Sequence, residues 1–150
     1  MENYKKYTMD KADRMLQPAI GGELILLSYI GLSQEDRFEF LEKIDDWENR
    51  GDAEILEHTH FKKYLANDVF IITDHSYIKD EVYFMDINHI ELFVNSYLNK
   101  NSECFFNGDT FFISPSTKSL IEFQHDGYIF SHRLPIVINE HGKRVIARKV

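Results

Sequence analysis

His58-Thr59-His60 is the most metal-like spacing in the chain. Two histidines one residue apart share a face on a strand, but on a helix of 3.6 residues per turn their rings diverge by about 200°. The surrounding run DAEILEHTHFKKYLAND reads as a helix with Asp52 as its cap, which separates the rings. A closed site also needs a third and a fourth ligand. Asp74, His75, Asp86, His89, His125 and Asp126 are available, but no spacing among them matches a metal motif, so we expect neither metal nor cofactor.

Other residues allow chemistry in principle. Gln124-His125-Asp126-Gly127 puts a histidine beside an aspartate, the pair needed for acid–base catalysis. Asp-Gly also supplies ordinary turn geometry, and that is the simpler explanation. Cys104 could act as a nucleophile with a distant histidine. Next to Phe105 and Phe106 it is expected instead to be a small buried hydrophobe. Ser114 and Lys118 stand one residue further apart than the Ser-x-x-Lys of penicillin-recognising enzymes, and no glycine-rich phosphate loop occurs.

Charge is the uneven feature. Residues 33–57 carry ten acids against three bases, −7 in a chain whose formal net charge is −8. Ser33 suits an N-cap and Gly51 a stop, so Gln34 to Asn49 reads as a helix. On that helix Glu35, Glu39, Glu42 and Asp46 recur at i, i+4, i+7 and i+11 and form one acidic stripe, flanked by Asp45. Phe40, Leu41, Ile44 and Trp47 fall on the opposite, core-facing side, and Phe38 is an aromatic beside the acids. A solvated face would have the same composition; so would a surface that recruits a basic protein.

The elements that must carry these residues are legible from period and punctuation. DKADRMLQ is a short helix ended by Pro18 and Gly21-Gly22, and ELILLSYI is a strand buried on both faces. VFIITD and EVYFMD are strands. Asn88 caps a helix whose Ile90, Phe93, Val94, Tyr97 and Leu98 form one apolar face. The last third reads ECFF, Asn-Gly turn, TFFIS, loop, SLIEF, Asp-Gly turn, YIFSH and PIVIN, a β-meander punctuated by strong hairpin signals. The expected fold is a single α+β domain over residues 1–150. Helices in the first two-thirds cover one face of an antiparallel sheet built largely from the C-terminal meander.

One hundred and fifty residues, 43% hydrophobic and 14% aromatic, can bury a sizeable core. The lone Cys104 excludes an intramolecular disulfide. Lys5, Lys6, Lys11 and Arg14 precede an apolar run, but Asp10, Asp13 and Glu23 interrupt the pattern of a secretory signal. The run is also too short to span a bilayer, so a cytoplasmic protein without membrane contact is expected. An acidic chain repels phosphates, which disfavours nucleic acid, and Lys143, Arg144, Arg148 and Lys149 make too short a basic patch to reverse that.

Two functions are compatible with these features. The first is an acidic binding protein, an immunity or inhibitor protein that neutralises a basic toxin such as a nuclease and is not itself an enzyme. Its contact residues would be Glu35, Phe38, Glu39, Glu42, Asp45 and Asp46. The second is a small metal-dependent or His/Asp hydrolase that uses a histidine with Asp74, Asp86 or Asp126.

Overall fold

In the computed structural model, which describes residues 3–138, one seven-stranded antiparallel sheet organises the chain. Its strands are β1 (Lys5–Tyr7), β2 (Phe38–Lys43), β3 (Asp68–Thr73), β4 (Val82–Asp86), β5 (Thr110–Ser114), β6 (Ser119–Phe123) and β7 (Tyr128–Arg133), in the spatial order β1-β4-β3-β5-β6-β7-β2. The helices are α1 (Met9–Ile20), α2 (Asp52–Thr59), α3 (Phe61–Tyr64), α4 (Asp74–Lys79) and α5 (Ile90–Asn101). The architecture is α+β, with helices mainly in the first two-thirds of the chain.

Both faces of the sheet are covered, not one. On one side Ile55 and Leu56 of α2, Phe61 of α3 and Ile90, Phe93, Val94 and Tyr97 of α5 pack on Val69, Ile71, Phe112, Ile121 and Phe123. On the other, Ala12, Leu16 and Ile20 of α1 and Leu24, Leu27 and Ile30 pack on Phe70, Ile72, Phe111, Ile113 and Leu120. The central strands show why: VFIIT and TFFIS are continuous apolar runs, the mark of burial on two faces.

Several expected elements differ. Residues Leu24–Leu32 form a 3₁₀ helix and not a strand. Leu24, Leu27 and Ile30 are buried three residues apart, the period of a three-residue turn, while Ile25 and Tyr29 point to solvent. Helix α1 runs through Pro18 and ends at Gly21, whose positive φ of 89° and N–H bond to the Gln17 carbonyl close its last turn. The long helix expected after Gly51 breaks at His60, which adopts φ 53°, and its N-cap is Gly51 while Asp52 is its first residue. Leu98 of α5 lies exposed, outside the apolar face formed by Ile90, Phe93, Val94 and Tyr97.

ECFF is not a strand. The Asp52 carboxylate accepts the N–H groups of Phe105 (2.7 Å) and Phe106 (3.1 Å), so those donors are satisfied without a ladder. Cys104 is exposed there and not buried. Of PIVIN, Ile138 makes an isolated bridge to Ser33, while Asn139 and the basic residues Lys143, Arg144, Arg148 and Lys149 lie outside the described residues. Among the described residues no single helix is long and apolar enough to cross a membrane, and the α1 and Leu24–Leu32 pair, bent by 49°, turns Ala12, Leu16, Ile20, Leu24, Leu27 and Ile30 onto the sheet.

Candidate functional site

The acidic segment is a strand, not a helix. Residues 38–43 pair with β7 at the edge of the sheet, which corrects the stripe of Glu35, Glu39, Glu42 and Asp46 projected on a helix. FEFLEK fits either period: Phe40, Leu41, Ile44 and Trp47 satisfy a helix, Phe38 and Phe40 a strand. Tertiary context decides, because β7 has an open flank and aromatic residues pair well across strands.

Register then sorts the side chains. Phe38 pairs with His132 and Phe40 with Phe130; the rings meet at 5.7 Å (Phe38–Phe130) and 5.8 Å (Phe40–Phe130). Glu39 pairs with Ser131 and so faces the opposite side. A bulge between Phe40 and Glu42 sets Glu42 opposite Ile129, on the Glu39 side of the sheet. Thus Glu39 and Glu42 share a face, through a strand bulge and not through helical spacing, while Phe38 lies on the other face and is half-buried.

Glu42 is engaged within the fold. Its carboxylate contacts His58 Nδ1 and stands 3.7 Å from His60 Nε2. The left-handed backbone at His60 lets both rings meet one carboxylate, which a continuous helix would prevent. The histidine pair is therefore a clasp from α2 to β2. Among the described residues, no group of three or more His, Cys, Asp or Glu side chains is arranged to hold a metal ion.

The remaining acids are more open. Glu39 is exposed, with the Tyr64 hydroxyl at 3.5 Å. Asp45 bonds Lys43 at 3.0 Å and Asp46 bonds Arg50 at 3.1 Å, both at the surface. Asp36 and Glu48 are exposed as well, and Glu35 opens the 3₁₀ turn Glu35–Arg37. A groove of about 420 Å³ lies beside the start of β2, lined by Asp36, Arg37, Glu39, Tyr64 and Arg133. The Arg133 guanidinium crosses to donate to the Asp36 carbonyl.

The Gln124–Gly127 turn has a structural duty that the sequence reading left out. Gly127 O accepts the Ile44 N–H (2.9 Å), and the His125 carbonyl accepts the Trp47 indole N–H (2.8 Å). Trp47 also meets the Phe123 ring edge-on at 5.3 Å. Trp47 is half-buried against the core, on the side expected of it. The turn therefore anchors the end of the acidic segment.

His125 pairs with Asp109 and not with its neighbour Asp126: Nδ1 lies 3.0 Å from Asp109 Oδ1. That hydrogen bond, then the Asp109 charge, raises the His125 pKa above its ordinary 6.5. Asp74 stands in the same cluster, its carboxyl raised by partial burial and then by the Asp109 charge. His75 pairs with Glu103 at 2.8 Å.

A histidine whose pKa is higher folded than unfolded adds stability below about 6.5 and loses it as pH rises through the folded value. The parent should therefore lose melting temperature on going from about pH 6 to pH 8, and His125→Gln should lose less over the same range. Parallel slopes in the two proteins would mean that the Asp109 contact does not persist in solution.

No protein-family model, no curated protein and no solved structure matches this chain.

Proposed function

We propose that the protein is an acidic binding protein, an immunity or inhibitor protein that neutralises a basic toxin such as a nuclease by direct contact. The contact surface in this reading is β2 and the turn that follows it. The observation that carries it is the set of exposed carboxylates, Asp36, Glu39, Asp45 and Glu48, on and around an edge strand. Such a strand offers charge and unpaired backbone groups together. The field of the whole segment attracts cations at long range and repels phosphate backbones. Half-buried Phe38 and Phe40 add aromatic area of the kind that anchors interfaces. Glu42 and Asp52 serve the fold, so the contact set narrows to the open carboxylates, with Asp46 at its flank.

Changing Asp36, Glu39, Asp45 and Glu48 together to lysine should leave the fold intact, because surface pairs contribute only about 0–1 kcal/mol each. The same change should weaken the complex with a basic partner isolated from the source cell by on the order of 10- to 1,000-fold at low salt. Equal affinity of parent and variant would remove the edge as the interface.

A second reading, a His/Asp hydrolase, draws on the raised pKa values of His125 and Asp74 around Asp109. It requires that His125→Ala abolish a hydrolytic activity; the binding reading requires that His125→Ala leave the affinity for a basic partner unchanged.

A further inference from the structure

At the opposite edge of the sheet the charge changes sign. A cleft of about 300 Å³ opens between β1, the end of α4 and α5. Lys6 of β1, Lys79 of α4 and Lys100 of α5 line it, with Glu81, Tyr83 and Tyr97. Three ammonium groups thus share a cleft with one carboxylate, in a protein of net charge −8.

The cations are weakly matched. Lys6 Nζ stands 3.7 Å from Glu81, a long contact. The Lys100 ammonium sits 5.7 Å above the Tyr4 ring, and Lys79 makes no ion pair among the described residues. Lys79 and Lys100 lie in the last turns of their helices, where a cation is favoured by the helix dipole. That preference does not account for Lys6, nor for the convergence of three elements on one cleft.

The neutral groups fit the same reading. Tyr83 and Tyr97 are buried and line the cleft. Burial, and then the neighbouring Tyr97, to which the Tyr83 hydroxyl is hydrogen-bonded, raises the Tyr83 pKa.

We propose that this cleft binds a small organic or inorganic anion bearing phosphate or carboxylate groups, held by Lys6, Lys79 and Lys100. Ammonium groups bind such oxyanions through charge-assisted hydrogen bonds. The cleft is at the small end of ligand sites, which suits a compact anion and excludes a polymer chain. Glu81 opposes the ligand and sets its affinity.

Titration of the whole protein with inorganic pyrophosphate, and separately with succinate, followed by amide and tyrosine NMR shifts, tests the assignment. The expected result is saturable movement of the Lys79–Tyr83 signals by at least one of the two probes, with a Kd in the range of about 1 mM or tighter. The responding probe distinguishes phosphate from carboxylate chemistry. Lys79→Gln and Lys100→Gln should each weaken binding about tenfold, and Glu81→Gln should tighten it, a sign reversal that general loosening of the fold cannot produce. No saturable shift by either probe up to about 10 mM would overturn the proposal. So would equal affinities for the parent and all three variants.

Discussion

Glu122→Ala is expected to cost about 3–5 kcal/mol, the range for removing one member of a buried hydrogen-bonded pair. Glu122 is 4% exposed and His132 3%. Glu122 Oε1 meets His132 Nε2 at 2.9 Å, and Oε2 accepts from Gln124 Nε2 at 3.0 Å. Among the described residues the other ring nitrogen of His132 has no hydrogen-bond partner, so the carboxylate is what satisfies the imidazole. Removing it newly orphans the His132 Nε2 and the Gln124 amide, at about 1–3 kcal/mol each. The double change Glu122→Leu with His132→Leu should cost much less than the two single changes added together, because it removes both needs at once. Urea melts of the four proteins give the coupling. Strict additivity would show that water reaches the pair and that the sheet is open there.

Gly127→Ala should cost a similar amount, about 3–5 kcal/mol, with its effect concentrated on β2. Gly127 has φ +93°, and a Cβ there would stand 2.3 Å from the Ile44 carbonyl and 3.2 Å from Trp47 Cδ1. The first obstacle is backbone and cannot swing aside. Relief requires the turn to leave Ile44, which breaks the Ile44 N–H bond and frees the indole. Trp47 is the single tryptophan of the chain, so its emission reports this junction directly. A red shift together with lower stability is expected. Gly51→Ala is the control, because a Cβ at Gly51 meets nothing within 4 Å and its φ is −77°. A normal melt and unshifted emission in Gly127→Ala would mean that β2 is not held at this turn.

The meander was legible because its signals are local. TFFIS, SLIEF and YIFSH alternate or run apolar between polar turns, and each became a strand of the sheet. Helix α5 was legible for the same reason, its apolar residues recurring at helical spacing. What failed depended on distant partners. FEFLEK satisfies two periods, and only the open flank of β7 selects the strand. ELILLSYI is apolar throughout, so alternation could not identify it; the three-residue spacing of Leu24, Leu27 and Ile30 was the available signal.

The site was harder to read than the fold. Glu122 and Gln124 alternate with Ile121 and Phe123, which ordinarily marks a solvent face. Helices on both sides of the sheet turn that face into interior, and the sequence of β6 does not record it. The clasp of Glu42 by His58 and His60 needs a left-handed residue at His60, for which a histidine in a helical run gives no warning. The surplus of acids was plain from composition, but which of them are free for a partner was not: Asp52 and Glu42 look like Glu39 and Glu48 until the chain is folded.

The central claim, that the acidic β2 edge receives a basic protein, is tested most directly by association kinetics. The isolated partner is mixed with parent and with the Asp36, Glu39, Asp45 and Glu48 to lysine variant over a series of salt concentrations. Steering by exposed charge is screened beyond about 10 Å at 0.1 M salt. The account predicts that the parent associates fast at low salt and slows steeply as salt rises, while the variant is slow throughout and nearly insensitive to salt. Equal rates with equal salt dependence in the two proteins would contradict it.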